Sequence, residues 1–140
     1  MPDPQEETPL KTPAEFLASF PGAPSPSRIE EFKSQVPGGR VKFFTSPDGK
    51  RVYLYRGYNG LDMLKFEGQV VENSKTHDQD FKIVVVSNCV LWTNTTSNGT
   101  VDVLGLRSAP AGLPETLFHL ITLLSDFYDP DMLDQLSGEL

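Results

Sequence analysis

The sequence predicts an α+β fold: one mostly helical domain with a small β-hairpin in its N-terminal half, preceded by a proline-rich arm. Three observations lead there. Seven of the 12 prolines fall within residues 1–26, where missing backbone donors oppose sheet and long helix. Two β-rich runs flank Ser46-Pro47-Asp48-Gly49-Lys50, a hairpin signal. Most of the remaining chain shows helical periodicity and capping residues. At 140 residues there is room for one modest core, so residues 1–26 are expected to form a flexible arm with a short helix and 27–140 a single globular domain.

In chain order, "TPAEFLASF" reads as that short helix, with Thr12 at the N-cap, Pro13 at N1 and Glu15 at N3. Phe16, Leu17 and Phe20 give it an apolar side, to be packed on its own domain or docked on a neighbour. In "SPSRIEEFKSQVPGG", Ser27 three residues before Glu30 reads as a second cap. Ile29, Phe32 and Val36 follow on one helix face, and Pro37-Gly38-Gly39 ends the helix. The hairpin pairs Val41–Thr45 with Arg51–Tyr55. Pro47 presets φ for the turn and Gly49 supplies a positive φ. Alternation places Phe43, Val52 and Leu54 on one face and Tyr53 and Tyr55 on the other.

A helix from about Gly60 to Glu72 carries two apolar stripes, Leu61, Leu64, Gly68 and Val71 on one side and Met63, Phe66 and Val70 nearly opposite. Two stripes predict cover on two sides. "DFKIVVVSNCVLWT" (80–93) is ambiguous. Its β-branched run favours a strand, but 14 residues without Gly or Pro is long for one, and helix is the expectation. Cys89 within it reads as a small packing hydrophobe, and Asn88, if buried, needs a hydrogen-bond partner. "NTTSNGT" is a loop whose two glycosylation-like triplets are read as accidental, because no secretory signal is recognised. "TVDVLGLRSAPAG" is expected to add a short strand.

The last 30 residues hold a helix with Pro114 at N1, closing at Ser125 to Tyr128, and a shorter one with Asp129 as N-cap. Leu117, Leu120, Ile121, Leu123, Leu124, Phe127 and Tyr128 span about 160° of the first, wider than an ordinary ~100° stripe. Met132, Leu133 and Leu136 follow. So wide an arc predicts a partner-binding surface made of Leu117, Ile121, Leu124, Phe127, Tyr128, Met132, Leu133 and Leu136, rimmed by Asp129, Asp131 and Asp134.

Charge is segregated along the chain. Arg40, Lys42, Lys50, Arg51 and Arg56 stand against Asp48 alone in the hairpin, a net +4, whereas six acids and no Lys or Arg follow residue 114. The basic hairpin patch and the acidic end read either as solvated faces or as surfaces that orient assembly. A net charge of −7 argues against nucleic-acid binding. No run reaches the ~18–20 apolar residues of a membrane span, and no cofactor is expected. One cysteine and two histidines leave no plausible zinc or Cys-His cluster. "DPDMLD" starts like a calcium loop but lacks its glycine and terminal glutamate. No phosphate-binding, dinucleotide, zinc-protease or serine-hydrolase motif occurs. The expectation is a non-enzymatic, intracellular protein without a metal site.

Tyr55-Arg56-Gly57, Cys89-Val90-Leu91-Trp92 and Ala109-Pro110-Ala111-Gly112-Leu113-Pro114 appear in an order that resembles small tail-assembly and baseplate-assembly proteins of contractile-tailed bacteriophages. In those a "YRG"-like strand end, a "CVLWP"-like segment and a "PAGxPxxLxxxIxxxSGF" helix follow one another. Thr93 replaces the proline, and Ser125-Asp126-Phe127 replaces Ser-Gly-Phe. The resemblance spans about residues 52–130. It implies a helical domain with a hairpin that binds other tail or baseplate proteins in the host cytoplasm or within the virion, either as an assembly chaperone or as a structural subunit, with a homo-oligomer as a further form. It carries over no catalytic residue. The rival reading from composition is a small phage-encoded intracellular modulator that occludes a host protein, and a third is an enzyme with a scattered site.

Overall fold

The computed structural model describes residues 12–73, 81–126 and 130–140. The expected mobility of residues 1–11, the cap at Asp129 and the side chains of Phe127 and Tyr128 lie outside them. The elements are α1 (Pro13–Ala18), α2 (Pro26–Gln35), a 3-10 turn (Pro37–Gly39), β1 (Val41–Thr45), β2 (Val52–Arg56), α3 (Gly60–Asn73), α4 (Phe81–Cys89), β3 (Val90–Thr93), α5 (Val103–Ser108), α6 (Gly112–Leu124) and α7 (Pro130–Leu136). This is the α+β fold expected, largely helical around a three-stranded antiparallel sheet.

The hairpin forms as its turn chemistry dictates. Val41 faces Arg56 and Thr45 faces Val52 across the β1–β2 ladder. Gly49 takes φ +72; its N–H donates to the Ser46 carbonyl at 2.9 Å. Asp48 accepts from the Ser46 hydroxyl and the Lys50 N–H, which hold its carboxyl below the usual range. β2 is central, and its Val52–Tyr55 run is buried on both faces.

One face of the sheet carries a small core: Val52 and Leu54 with Leu17, flanked by Phe20, Ile29, Phe32, Phe43 and Trp92. The short helix assigned to the arm is thus part of the domain. Its capping box is formed, Leu17 is buried, and the Phe16 ring lies 5.6 Å from that of Phe43. The other face carries the main core, where Tyr53 and Tyr55 meet Phe66, the Val84–Val86 run, Cys89, Leu106, Leu117 and Ile121.

The structure corrects four local expectations. Residues 80–93 are not one helix: α4 ends at Cys89 and Val90–Thr93 becomes β3, paired with β2. Without that pairing the buried β2 would leave ladder groups unsatisfied. The segment after Thr100 is helix, not strand, because Asp102 caps it by accepting from the Gly105 N–H at 2.6 Å. The second helix is capped by Ser25, not Ser27, with Pro26 in its first turn. α6 starts at Gly112, and Pro114 sits in its first turn, where no backbone donor is needed.

Asn88 has its required partners. Its amide donates to the Val84 carbonyl at 2.8 Å and to Gln69 Oε1 at 2.9 Å, tying α4 to α3. Asn94, first residue of a glycosylation-like triplet, closes the sheet instead: its Oδ1 accepts from Val52 N–H and its Nδ2 donates to the Lys50 carbonyl.

Candidate docking surfaces

The sequence-predicted partner surface divides in two. Leu117 and Ile121 are fully buried and Leu124 nearly so. They belong to the main core and are unavailable to a partner, which corrects their assignment. The cause is that α6 packs on α4 along one side and meets β2 on another, so these three positions of its wide arc are used internally, while Leu123 of the same arc stays 56% exposed. Met132, Leu133 and Leu136 on α7 are the opposite case, 48%, 47% and 61% exposed. Asp131 and Asp134 lie on the same helix and give it an acidic character; Phe127, Tyr128 and Asp129 fall outside the described residues.

The basic hairpin patch also divides. Arg56 is withdrawn from it: its guanidinium donates to the Gly57 carbonyl at 2.9 Å and pairs with Asp62 at 3.1 Å, with both side chains mostly buried. Asp62 accepts in turn from the Asn59 N–H, and Asn59 Oδ1 accepts from the Asp62 N–H. This reciprocal cap starts α3, so Arg56 braces the strand end against the helix. Arg40, Lys42, Lys50 and Arg51 are exposed. In the β1–β2 register Lys42 lies opposite Tyr55 and Arg51 precedes Val52, which separates the two pairs by roughly 13 Å along the hairpin.

A second apolar surface lies where the sequence predicted cover. Met63, Phe66 and Val70 of α3 face the core, but Leu61, Leu64 and Val71 are 79%, 66% and 66% exposed. Among the described residues the helix packs on the core along one side, and its outer stripe is exposed rather than buried.

Sequence reasoning missed a groove. It lies between the hairpin end, the 95–100 loop and the α5–α6 segment, encloses about 450 Å³, and is lined by Arg51, Tyr53, Val101, Leu106, Pro110 and Leu113 among others. A hollow of about 200 Å³ continues it past Phe44, Ser46 and Pro47, sharing Arg51, Tyr53, Pro110 and Leu113. The total falls within the ~300–1,000 Å³ of ordinary binding clefts. Its walls come from segments some 50 residues apart, so no local pattern announced it. The only local hint was a Pro-rich link beside a loop of small polar residues.

Cys89 is fully buried, and burial pushes its thiol up to about 12, the opposite of an activated nucleophile. No group of three or more His, Cys, Asp or Glu side chains that could hold a metal occurs among the described residues, and no helix there is long and apolar enough to cross a membrane. Compared with protein-family models, with curated proteins and with solved structures, the chain matches none.

Proposed function

We propose that this chain is a non-enzymatic tail or baseplate protein of a contractile-tailed phage, an assembly chaperone or small structural subunit, acting by protein–protein docking in the host cytoplasm and on the tail. The observation that carries the docking part is α7, a helix with three large apolar side chains about half exposed or more. Burying the exposed part of each would contribute roughly half of the ~1.5–3 kcal/mol of a fully buried side chain, so the three together can form the centre of an interface. The acids of α7 would set orientation and encounter rate more than affinity. The phage part rests on the resemblance of residues 52–130.

Co-expression with tail-tube, sheath and baseplate proteins encoded beside it tests the reading. One of them co-purifies with the wild type, and Leu133→Asp abolishes the complex while leaving the circular dichroism spectrum native. If none binds the folded protein, the reading fails. Mass spectrometry of purified virions then separates the subunit, which is present, from the chaperone, which is absent.

A further inference from the structure

An asparagine followed by glycine is especially open to loss of its amide, because a glycine nitrogen, with no Cβ beside it, can close on the side-chain carbonyl carbon. The chain holds two such pairs, Asn59-Gly60 and Asn98-Gly99, and both asparagines are exposed. The fold treats them differently. Asn59 is held at three points: its N–H donates to Asp62 at 3.2 Å, its Oδ1 accepts from the Asp62 N–H at 2.9 Å, and its carbonyl accepts from the Met63 N–H at 2.9 Å. Closing a ring there unmakes the start of α3. Asn98 sits in the 95–100 loop, and its Oδ1 accepts from the Thr100 N–H at 3.1 Å. That bond polarises the side-chain carbonyl and stabilises the oxyanion that an attack on it creates. The attacking group, the Gly99 nitrogen, is tied by a long 3.3 Å bond to the Thr96 carbonyl.

We propose that Asn98 is a site of spontaneous modification, converting to aspartate and isoaspartate, while Asn59 in the same fold is protected. The Gly99 nitrogen gives its proton to solvent and bonds to Cγ of Asn98. The Cγ–Nδ2 bond breaks, and Nδ2 leaves with a solvent proton as ammonia. Water then opens the cyclic imide. Opening at Cγ gives aspartate; opening at the main-chain carbonyl gives isoaspartate, whose main chain runs through the former side chain and is longer by a methylene. The two products differ in what they disturb. Aspartate keeps an oxygen for the Thr100 N–H. The extra methylene displaces Gly99, which takes φ +77 against the Trp92 indole, where an added Cβ would stand 2.7 Å from Trp92 Cδ1. The Gly99 carbonyl also accepts from the Thr93 N–H at 3.0 Å. Isoaspartate therefore frees the end of β3 from the loop and lifts the loop off Trp92. Because Asn98 lines the groove beside the hairpin, either product also places a new carboxylate on its wall.

Peptide mapping by mass spectrometry of the full chain, aged in warm, mildly alkaline buffer, tests this. The amide-to-acid mass gain appears at Asn98 on the order of tenfold faster than at Asn59, the factor that keeping a helix cap is worth. In the chain unfolded by denaturant, where neither asparagine is held, the two convert at similar rates. The isoaspartate fraction, separated by chromatography, shows red-shifted emission from Trp92, the one tryptophan in the sequence, and unfolds at lower denaturant. Freshly purified Asn98→Asp, which has the new charge without the longer main chain, keeps the wild-type emission. Asn98→Ser, whose hydroxyl can serve the same turn, ages without the emission change. Asn59 converting as fast as Asn98 in the folded chain would overturn the proposal. So would an unmodified Asn98 after the unfolded chain has converted, or an isoaspartate fraction with unaltered emission and stability.

Discussion

Helix α3 presents Leu61, Leu64 and Val71 to solvent, whereas α6 buries Leu117 and Ile121 completely and Leu124 to 8% exposure. By apolar pattern alone the roles come out reversed: two stripes on α3 suggest burial on two sides, and a 160° arc on α6 suggests surplus for a partner. The difference lies in the neighbours. α6 lies against α4 and β2 at once, while α3 meets its main neighbour, α4, along one side. An apolar arc states how much cover a helix needs. Only the positions of the surrounding elements state how much it receives inside its own chain.

The largest expected effect tests the buried side. Ile121→Ala removes atoms from a fully buried site and should lower stability by about 2–5 kcal/mol in denaturant unfolding. A change below ~1 kcal/mol would place α6 at the surface after all. Next comes Gly57, where an added Cβ would stand 3.0 Å from both the Leu124 carbonyl oxygen and Ser125 Oγ. Ser125 Oγ also accepts from the Tyr58 N–H at 2.9 Å. Gly57→Ala should therefore cost about 1–3 kcal/mol by overpacking the contact between hairpin and α6, measured the same way.

The alkaline limb of the stability curve sharpens the picture of α4, the element between α3 and α6. Burial raises Cys89 from 9.0 to about 12 and pushes Tyr55 and Tyr58 upward from 10.0. A group whose folded value is raised stabilises the fold fully below its unfolded value and loses that contribution as pH rises toward the folded one. Stability should fall by about 1.4 kcal/mol per pH unit for the thiol between pH 9 and 12, and more steeply above pH 10 where the tyrosines join. Cys89→Ala should flatten the part between pH 9 and 10. A wild-type slope unchanged by that substitution would contradict the burial of Cys89. The smallest effect belongs to the exposed side of the comparison. Leu64→Ser should move unfolding free energy by no more than about 0.5 kcal/mol, and a loss of 2 kcal/mol would mean the outer stripe of α3 is covered in the isolated chain.

The sequence was most legible where structure is set locally. Thr12, Pro13 and Glu15 start α1, Pro47 and Gly49 turn the hairpin, and the alternation of Val52 to Tyr55 assigns the two sheet faces. It was less legible where a distant element decides. Val90–Thr93 is a strand because β2 offers an edge. Arg56 leaves the basic patch because Asp62 stands within reach, a pairing that charge counting along the chain does not reveal. The groove depends on the 95–100 loop and the Ala109–Leu113 segment arriving on either side of Tyr53. Of the predicted partner residues, Met132, Leu133 and Leu136 are exposed and the three on α6 are core, because burial belongs to packing rather than to periodicity.

Docking through α7 is the central claim, and a thiol-labelling rate tests it most directly. In Leu133→Cys the new thiol stands on an exposed helix, while the native Cys89 is silent, being buried and held neutral to about pH 12. Cys89 in the wild type should not label below pH 9, and the variant should label rapidly when dilute and free. Its labelling should slow by on the order of tenfold or more once the chain is bound to its partner protein. A thiol at position 133 that is already protected in the dilute monomer, or one that labels equally fast in the bound state, would contradict that claim.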